Sequence, residues 1–134
     1  MAKILIVEDD EIVVTYVSKL LLAMGHLVTV AHSATRARGV LETEPDIALI
    51  LLDHHLGKES GLDFLTAFRQ SDRGRTLPVI VCSGDTKAAT VRSFLPLKIA
   101  GFIMKPFQAD RFKAEIEQVL LAAEDRIATR PVSA

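Results

Sequence analysis

The run LILLDHHLG, residues 49–57, decides how the rest of the chain is read. Its first four residues, Leu49 to Leu52, are apolar without alternation, the pattern of a strand covered on both faces. The run then meets Asp53, His54 and His55. A carboxylate and two imidazoles at the end of a buried strand leave three readings open. They are a metal site, a reactive aspartate, or a polar strand end with no chemistry.

Working outward, five short apolar runs share this character: Ile4–Val7, Leu27–Ala31, Ile47–Leu52, Val79–Cys82 and Phe102–Met104. Between them lie segments with helical spacing. In the first, Ile12, Val13, Tyr16, Val17, Leu20, Leu21 and Met24 form two neighbouring i,i+4 rows, and Gly25 stands where a helix ends. In the last, Phe112, Ile116, Val119, Leu120 and Ala123 share a face. The middle helices are expected at 35–42, 62–70 and 87–94, the last capped by Asp85 or Thr86. Pro45 and Pro78 fall just before strands. Strand then helix, five times over, implies a five-stranded parallel sheet, doubly wound, with helices on both faces.

Composition bounds the function. A chain of 134 residues, 49% hydrophobic and 25% charged, suits one domain with a real core. We expect that domain over 1–127 and a frayed tail over 128–134. Sixteen basic against 17 acidic residues give a net charge of −1, which points away from nucleic acid or membrane as the main partner. The single Cys82 excludes an intrachain disulfide framework. No apolar run approaches the ~20 residues that span a bilayer. The N-terminus does not read as a signal peptide, and the chain is expected to be cytoplasmic.

In an open α/β sheet, ligands bind beyond the carboxyl ends of the strands, where strand order reverses. The first strand is followed by Glu8, Asp9 and Asp10, the third by Asp53, the fourth by Ser83 and Gly84, the fifth by Lys105 and Pro106. With the second strand at an edge, these four ends share a crevice. Carboxylates gathered there repel unless one is protonated or a cation sits among them. Oxygen donors with room for water suit Mg²⁺ better than zinc. Lys105 across from such an ion makes a cradle for a phosphoryl group, to which Ser83 can donate. Asp53 is then placed as a nucleophile.

At this point the chain resembles the receiver domains of two-component response regulators. The resemblance rests on ILIVEDDE, LILLD, VIVCSG and FIMKPF in order, and runs from about Lys3 to Glu124. Asp53 and Ser83 are 30 positions apart (83 − 53), and Ser83 and Lys105 are 22 apart (105 − 83), spacings typical of that family. The resemblance implies the flavodoxin-like strand order 2-1-3-4-5. It implies that Asp53 accepts a phosphoryl group from a sensor histidine kinase or phosphotransfer protein. Asp10 would bind Mg²⁺ directly, Asp9 mostly through water, with Asp53 and the backbone carbonyl of His55 as further ligands. Ser83 would be the switch hydroxyl, Phe102 the aromatic that turns inward with it, and Lys105 the partner of the phosphoryl charge. Lys105–Pro106 would be a cis peptide, and Gly61 the glycine after the phosphorylation loop. Two residues depart from the family pattern. Gly57 stands where a proline is usual, implying a more mobile loop, and Pro96 is expected to shorten the fourth helix, which puts a dimer face built on that helix in doubt.

Blander readings stand beside these. Adjacent residues of an extended chain point to opposite sides, which argues against one ion held by Asp53, His54 and His55 together. Either the His55 ring gates water at the phosphoryl group, or both histidines are solvated. Asp10 could simply cap the first helix. Cys82 and Phe102 read as core, and Arg69, Arg73 and Arg75 as a solvated loop surface. The leading function is a phosphorylation-controlled switch, not a turnover enzyme. It would act as a monomer or weak dimer and change the surface of its fourth helix, fifth strand and fifth helix for a separate, unknown partner. Alternatives are a phosphorelay intermediate, a phosphate sink, a Mg²⁺-dependent phosphohydrolase, and a degenerate receiver that only binds. Met1 directly before the first strand leads us to expect a true N-terminus.

Overall fold

The computed structural model describes residues 1–85 and 87–128. The elements follow in the order β1 (Lys3–Val7), α1 (Glu11–Ala23), β2 (Leu27–Ala31), α2 (Ala34–Thr43), β3 (Ile47–Asp53), the two-residue strands β4 (His55–Leu56) and β5 (Glu59–Ser60), α3 (Gly61–Phe68), β6 (Val79–Ser83), α4 (Ala88–Phe94), β7 (Gly101–Met104) and α5 (Ala109–Ala128). The long strands form one parallel sheet in the order β2-β1-β3-β6-β7. Counting these five alone, that is the expected 2-1-3-4-5. Thr86 and residues 129–134 of the expected tail lie outside the described residues, while Ala128 closes α5.

Alternation along the central strands sorts their side chains onto two faces. Leu5, Val7, Ile50, Leu52, Val79 and Val81 pack with Ala34, Ala37 and Leu41 of α2, Phe64 and Leu65 of α3, and Phe94 of α4. Ile4, Ile6, Leu49, Leu51, Ile80 and Cys82 pack with Val14, Val17 and Leu21 of α1 and Phe112, Ile116 and Val119 of α5. Both faces are covered, which is why β1, β3 and β6 read as unbroken apolar runs. In α1 the two expected rows are buried unequally: Val13, Val17 and Leu21 pack inward, and of the other row only Leu20 and Met24 reach the core. Ile12 is 81% exposed and Tyr16 is exposed too, while Val14 takes the inward position.

Register carries the site. Val7 pairs with Leu52, Asp53 with Cys82, and Ser83 with Met104. The residues just beyond these pairs, Glu8 after β1 and Lys105 after β7, therefore emerge at the same edge as Asp53 and Ser83.

Two loop expectations change and one holds. The segment after β3 is a hairpin, with His55 opposite Ser60 and Leu56 opposite Glu59. Gly57, first of its two turn residues, has φ +63°, the conformation a type II′ hairpin turn needs there. Proline, with φ locked near −65°, cannot take that place, so the departure at Gly57 builds a defined turn. Pro96 does end the fourth helix early: α4 stops at Phe94 and a 3₁₀ turn spans Leu95–Leu97. The arginines are not a uniform solvated surface. Arg69 donates to the carbonyls of Gly74, Leu77 and Leu97 at 2.6–2.8 Å, and Arg73 donates to those of Leu41 and Ile47. Loop carbonyls lack ladder partners, and a guanidinium fork can satisfy several at once. Only Arg75, paired with exposed Asp72, fits the solvated reading.

Candidate functional site

Asp53 ends β3, the central strand of the sheet, and is only 8% exposed. Lys105, which follows β7, reaches across β6 to it: Nζ lies 3.1 Å from Asp53 Oδ1 and 2.7 Å from Glu8 Oε1. The Lys105–Pro106 peptide at this turn is cis. Glu8 is 3% exposed, and its second oxygen, Oε2, is sealed from solvent with no hydrogen-bond partner among the described residues. Carboxylate oxygens of Glu8, Asp9 and Asp53 lie within 4.8 Å of one another.

Three carboxylates and one ammonium leave this crevice with unbalanced negative charge. Burial, then the neighbouring Asp53, push the Glu8 carboxyl up to about 8, against the pull of Lys105. The Lys105 ammonium loses hydration on burial, yet Glu8 and Asp53 outweigh that and hold it above its ordinary value. A buried, unpartnered carboxylate oxygen beside two further carboxylates is a donor set for a hard divalent cation. Exposed Asp9 leaves one side open to water, as Mg²⁺ prefers.

The acidic pair is therefore Glu8 and Asp9, one residue earlier than expected. Asp10 is the N-cap of α1: its Oδ1 accepts from the backbone N–H of Ile12 at 2.9 Å and of Val13 at 3.4 Å. That carboxylate serves the helix terminus, is exposed, and stands outside the cluster. Glu8 was legible on the rule that found Asp53. It is the first polar residue after an apolar strand, and the Val7–Leu52 pairing makes it Asp53's neighbour.

Ser83 is fully buried at the end of β6. Its hydroxyl accepts from the Asp85 N–H at 2.9 Å, so in this structure it is tied to its own loop. Phe102 is half-buried, edge-on to Phe94 with ring centroids 6.2 Å apart. Gly61 opens α3 directly against β3: a Cβ there would lie 2.3 Å from the Asp53 carbonyl oxygen. Cys82 faces the core, and burial pushes its thiol up to about 12, which leaves it without nucleophilic character.

The histidines break the expected alternation. The chain bends at His54 once β3 ends, and the His54 and His55 rings lie 4.3 Å apart on the same side. His54 also meets Phe94 edge-on at 5.3 Å. Burial, then the neighbouring His55, lower the His54 imidazole below its ordinary value.

The sequence and the fold both match known proteins. A family model described as the response regulator receiver domain fits residues 4–117. The transcriptional regulatory protein DcuR of Escherichia coli is 30% identical over 116 residues, which cover 84% of this chain and 48% of that protein. The two-component response regulator ORR5 of Oryza sativa is 26% identical over 105 residues, 78% of each chain. The crystal structure of a CheY-like receiver domain protein from Methanospirillum hungatei superposes with a TM-score of 0.86 at 23% identity. It covers 94% of this chain and 98% of that one, a likeness of fold. The chain thus spans about half the length of DcuR. Among the described residues no helix is long and apolar enough to cross a membrane.

Proposed function

The chain belongs to the response regulator receiver domain family, and on that premise we propose that it is a phosphoacceptor switch that uses Asp53 and Mg²⁺. The observation that supports this best is the double contact of Lys105 with Asp53 and Glu8, beside a sealed and unpartnered Glu8 oxygen. Glu8, Asp9, Asp53 and the backbone carbonyl of His55 would hold the ion. Bound there, Mg²⁺ supplies positive charge to the carboxylates and to the oxygens of the incoming phosphoryl group.

The rest follows from this chain's own residues. Asp53 Oδ attacks the phosphorus of a phosphohistidine on a sensor kinase or phosphotransfer protein. A P–O bond forms, the P–N bond breaks, and the imidazole leaves. Lys105 exchanges its Asp53 contact for a phosphoryl oxygen, which keeps its ammonium paired as charge accumulates. Ser83 gives up the Asp85 N–H and donates to another phosphoryl oxygen. Half-buried Phe102 then moves into the space Ser83 leaves. The β7 backbone transmits the change, because Lys105 N–H donates to the Ser83 carbonyl at 2.8 Å. The surface that reads it includes Leu95 and Met104, both large, apolar and more than half exposed. A separate partner that prefers one state shifts the population. The chain is modified once per cycle and is not a turnover enzyme.

The test is incubation with Mg²⁺ and acetyl phosphate, or with beryllofluoride, followed by intact mass and amide shifts. The expected result is one adduct, absent in Asp53→Asn, with shifts at Ser83 and Phe102. An adduct that survives Asp53→Asn, or none at all, overturns the assignment. Sustained turnover of a phosphate ester would make the chain a phosphohydrolase instead.

A further inference from the structure

We propose that the side chains of His54, His55 and Asp85 form a second cation site, beside the acidic crevice and sharing no side chain with it, that takes a borderline divalent transition ion of the Zn²⁺ or Co²⁺ type. One ligand atom from each residue lies within 4.8 Å of the other two. Metal–nitrogen and metal–oxygen bonds of about 2.1 Å set ligand atoms of a tetrahedral site about 3.4 Å apart, so modest side-chain rotations close the site.

Three further observations favour a ligand there. The two imidazoles are brought to one side by the bend after β3, with their rings 4.3 Å apart, though nothing in the extended pattern required it. The Nδ1 atom of His54 is sealed from solvent and has no hydrogen-bond partner among the described residues. The Asp85 carboxylate is already oriented, accepting from the Lys87 N–H at 3.0 Å and from the Thr90 hydroxyl at 2.8 Å. Those bonds leave lone pairs free on both oxygens. Two imidazoles and one carboxylate, with the exposed His55 side open to water, match the donors of borderline ions, whereas Glu8, Asp9 and Asp53 offer oxygen alone.

The site joins two loops that the proposed switch must move relative to each other. His54 and His55 follow β3, and Asp85 follows β6. The Asp85 N–H holds the Ser83 hydroxyl at 2.9 Å, so an ion on Asp85 fixes Ser83 in its present, loop-tied position. The consequence is inhibition of phosphorylation at Asp53. This consequence rests on the phosphoacceptor reading; the cation site does not.

Two measurements on the full chain decide both. Titration with Co²⁺ in excess Mg²⁺, which occupies the oxygen site, is expected to give a visible d–d band saturating at one equivalent. His55→Gln, at an exposed ring, and the isosteric Asp85→Asn each weaken it about tenfold or more, while Asp9→Asn leaves it unchanged. No band, a band indifferent to His55→Gln and Asp85→Asn, or one lost in Asp9→Asn overturns the site. Labelling of Asp53 by acetyl phosphate is then followed with and without saturating Zn²⁺. Slowing of about tenfold, absent in His55→Gln, supports the clamp, and an unchanged rate overturns it. If no label forms without Zn²⁺, the phosphoacceptor reading fails and takes the clamp with it, and the Co²⁺ titration still decides the site.

Discussion

Glu8→Gln should make the metal-free protein more stable at alkaline pH. Glu8 is buried beside Asp53, and its carboxyl is pushed from 4.5 up to about 8. A folded-state value above the unfolded one means that the native state holds the proton more tightly. The stability this contributes is complete below pH 4.5 and is lost as pH rises through about 8. At about 1.36 kcal/mol per pH unit, that interval has an upper bound of about 5 kcal/mol. Lys105 at 2.7 Å and water at the open Asp9 side offset part of the cost, so we expect about 2–3 kcal/mol. The glutamine keeps the shape and an acceptor for Lys105 but cannot ionise.

The assay is urea unfolding of both proteins in EDTA from pH 5.5 to 8.5. The quantity that matters is the difference between them, because His26 and His54, which titrate in both, cancel. Burial lowers both imidazoles, so their contributions are lost toward acid pH, the opposite sense to Glu8. Wild type should lose about 2–3 kcal/mol relative to the variant, at a slope approaching about 1.4 kcal/mol per pH unit. Added Mg²⁺ at pH 8.5 should restore wild type and help the variant far less. Parallel curves would refute the reasoning, because Glu8 would then ionise alike in both states. So would Mg²⁺ stabilising both proteins equally, because Glu8 would then not belong to the ion's site.

Asp10→Ala should cost about 1 kcal/mol, the value of a helix cap, and change Mg²⁺ affinity by less than about threefold; Asp9→Asn should weaken Mg²⁺ about tenfold. Tryptophan being absent, Tyr16 fluorescence or amide shifts follow that titration, and equal losses in both variants would return Asp10 to the metal site. Gly61→Ala places a Cβ 2.3 Å from the Asp53 carbonyl oxygen, backbone that cannot step aside cheaply. It should cost about 3 kcal/mol in urea unfolding, and a loss below about 0.5 would mean that α3 moves away freely. Arg69→Ala strands the carbonyls of Gly74, Leu77 and Leu97 and should cost about 3 kcal/mol, with Asp53 phosphorylation unchanged. A neutral result in thermal melts would place water on those carbonyls instead.

The sheet was legible because burial on both faces leaves a crude signature: unbroken Ile, Val and Leu runs at β1, β3 and β6. Strand order followed from the polar ends and from the family resemblance together. What the sequence hid were matters of a single residue. Glu8, Asp9 and Asp10 are three acids in a row; composition does not separate the one that faces Lys105 from the one that caps α1, and only the place of Glu8 as the first polar residue after the strand marks it. The pairing of Val7 with Leu52 separates them, and pairing is a tertiary fact. The row of Ile12 and Tyr16 misled for a related reason. Helical spacing finds a stripe but not which side of it meets the sheet, and here Val14, Val17 and Leu21 face inward. The guanidinium of Arg69 was invisible because its partners are backbone carbonyls, which every sequence contains.

The same limit explains why His54 and His55 looked unable to share a ligand. Opposite-facing neighbours follow from extended geometry, and the rule fails at the first residue past the strand. Asp53 is the last residue of β3, so it keeps the strand's direction and faces Lys105. His54 donates its N–H to the Cys82 carbonyl and accepts from Gly61 N–H, and between those two bonds the chain turns. Gly61 is held there because a side chain would strike the Asp53 carbonyl, and Gly57 turns the hairpin back beneath it. Two glycines thus set where the imidazoles go, although neither touches an ion. It follows that Gly61→Ala should perturb Co²⁺ binding as well as stability, while Glu8→Gln should leave Co²⁺ binding intact, since β1 takes no part in the bend. A Co²⁺ band unaffected by Gly61→Ala would mean that the imidazoles are placed by their contact with each other and by that of His54 with Phe94 rather than by the backbone.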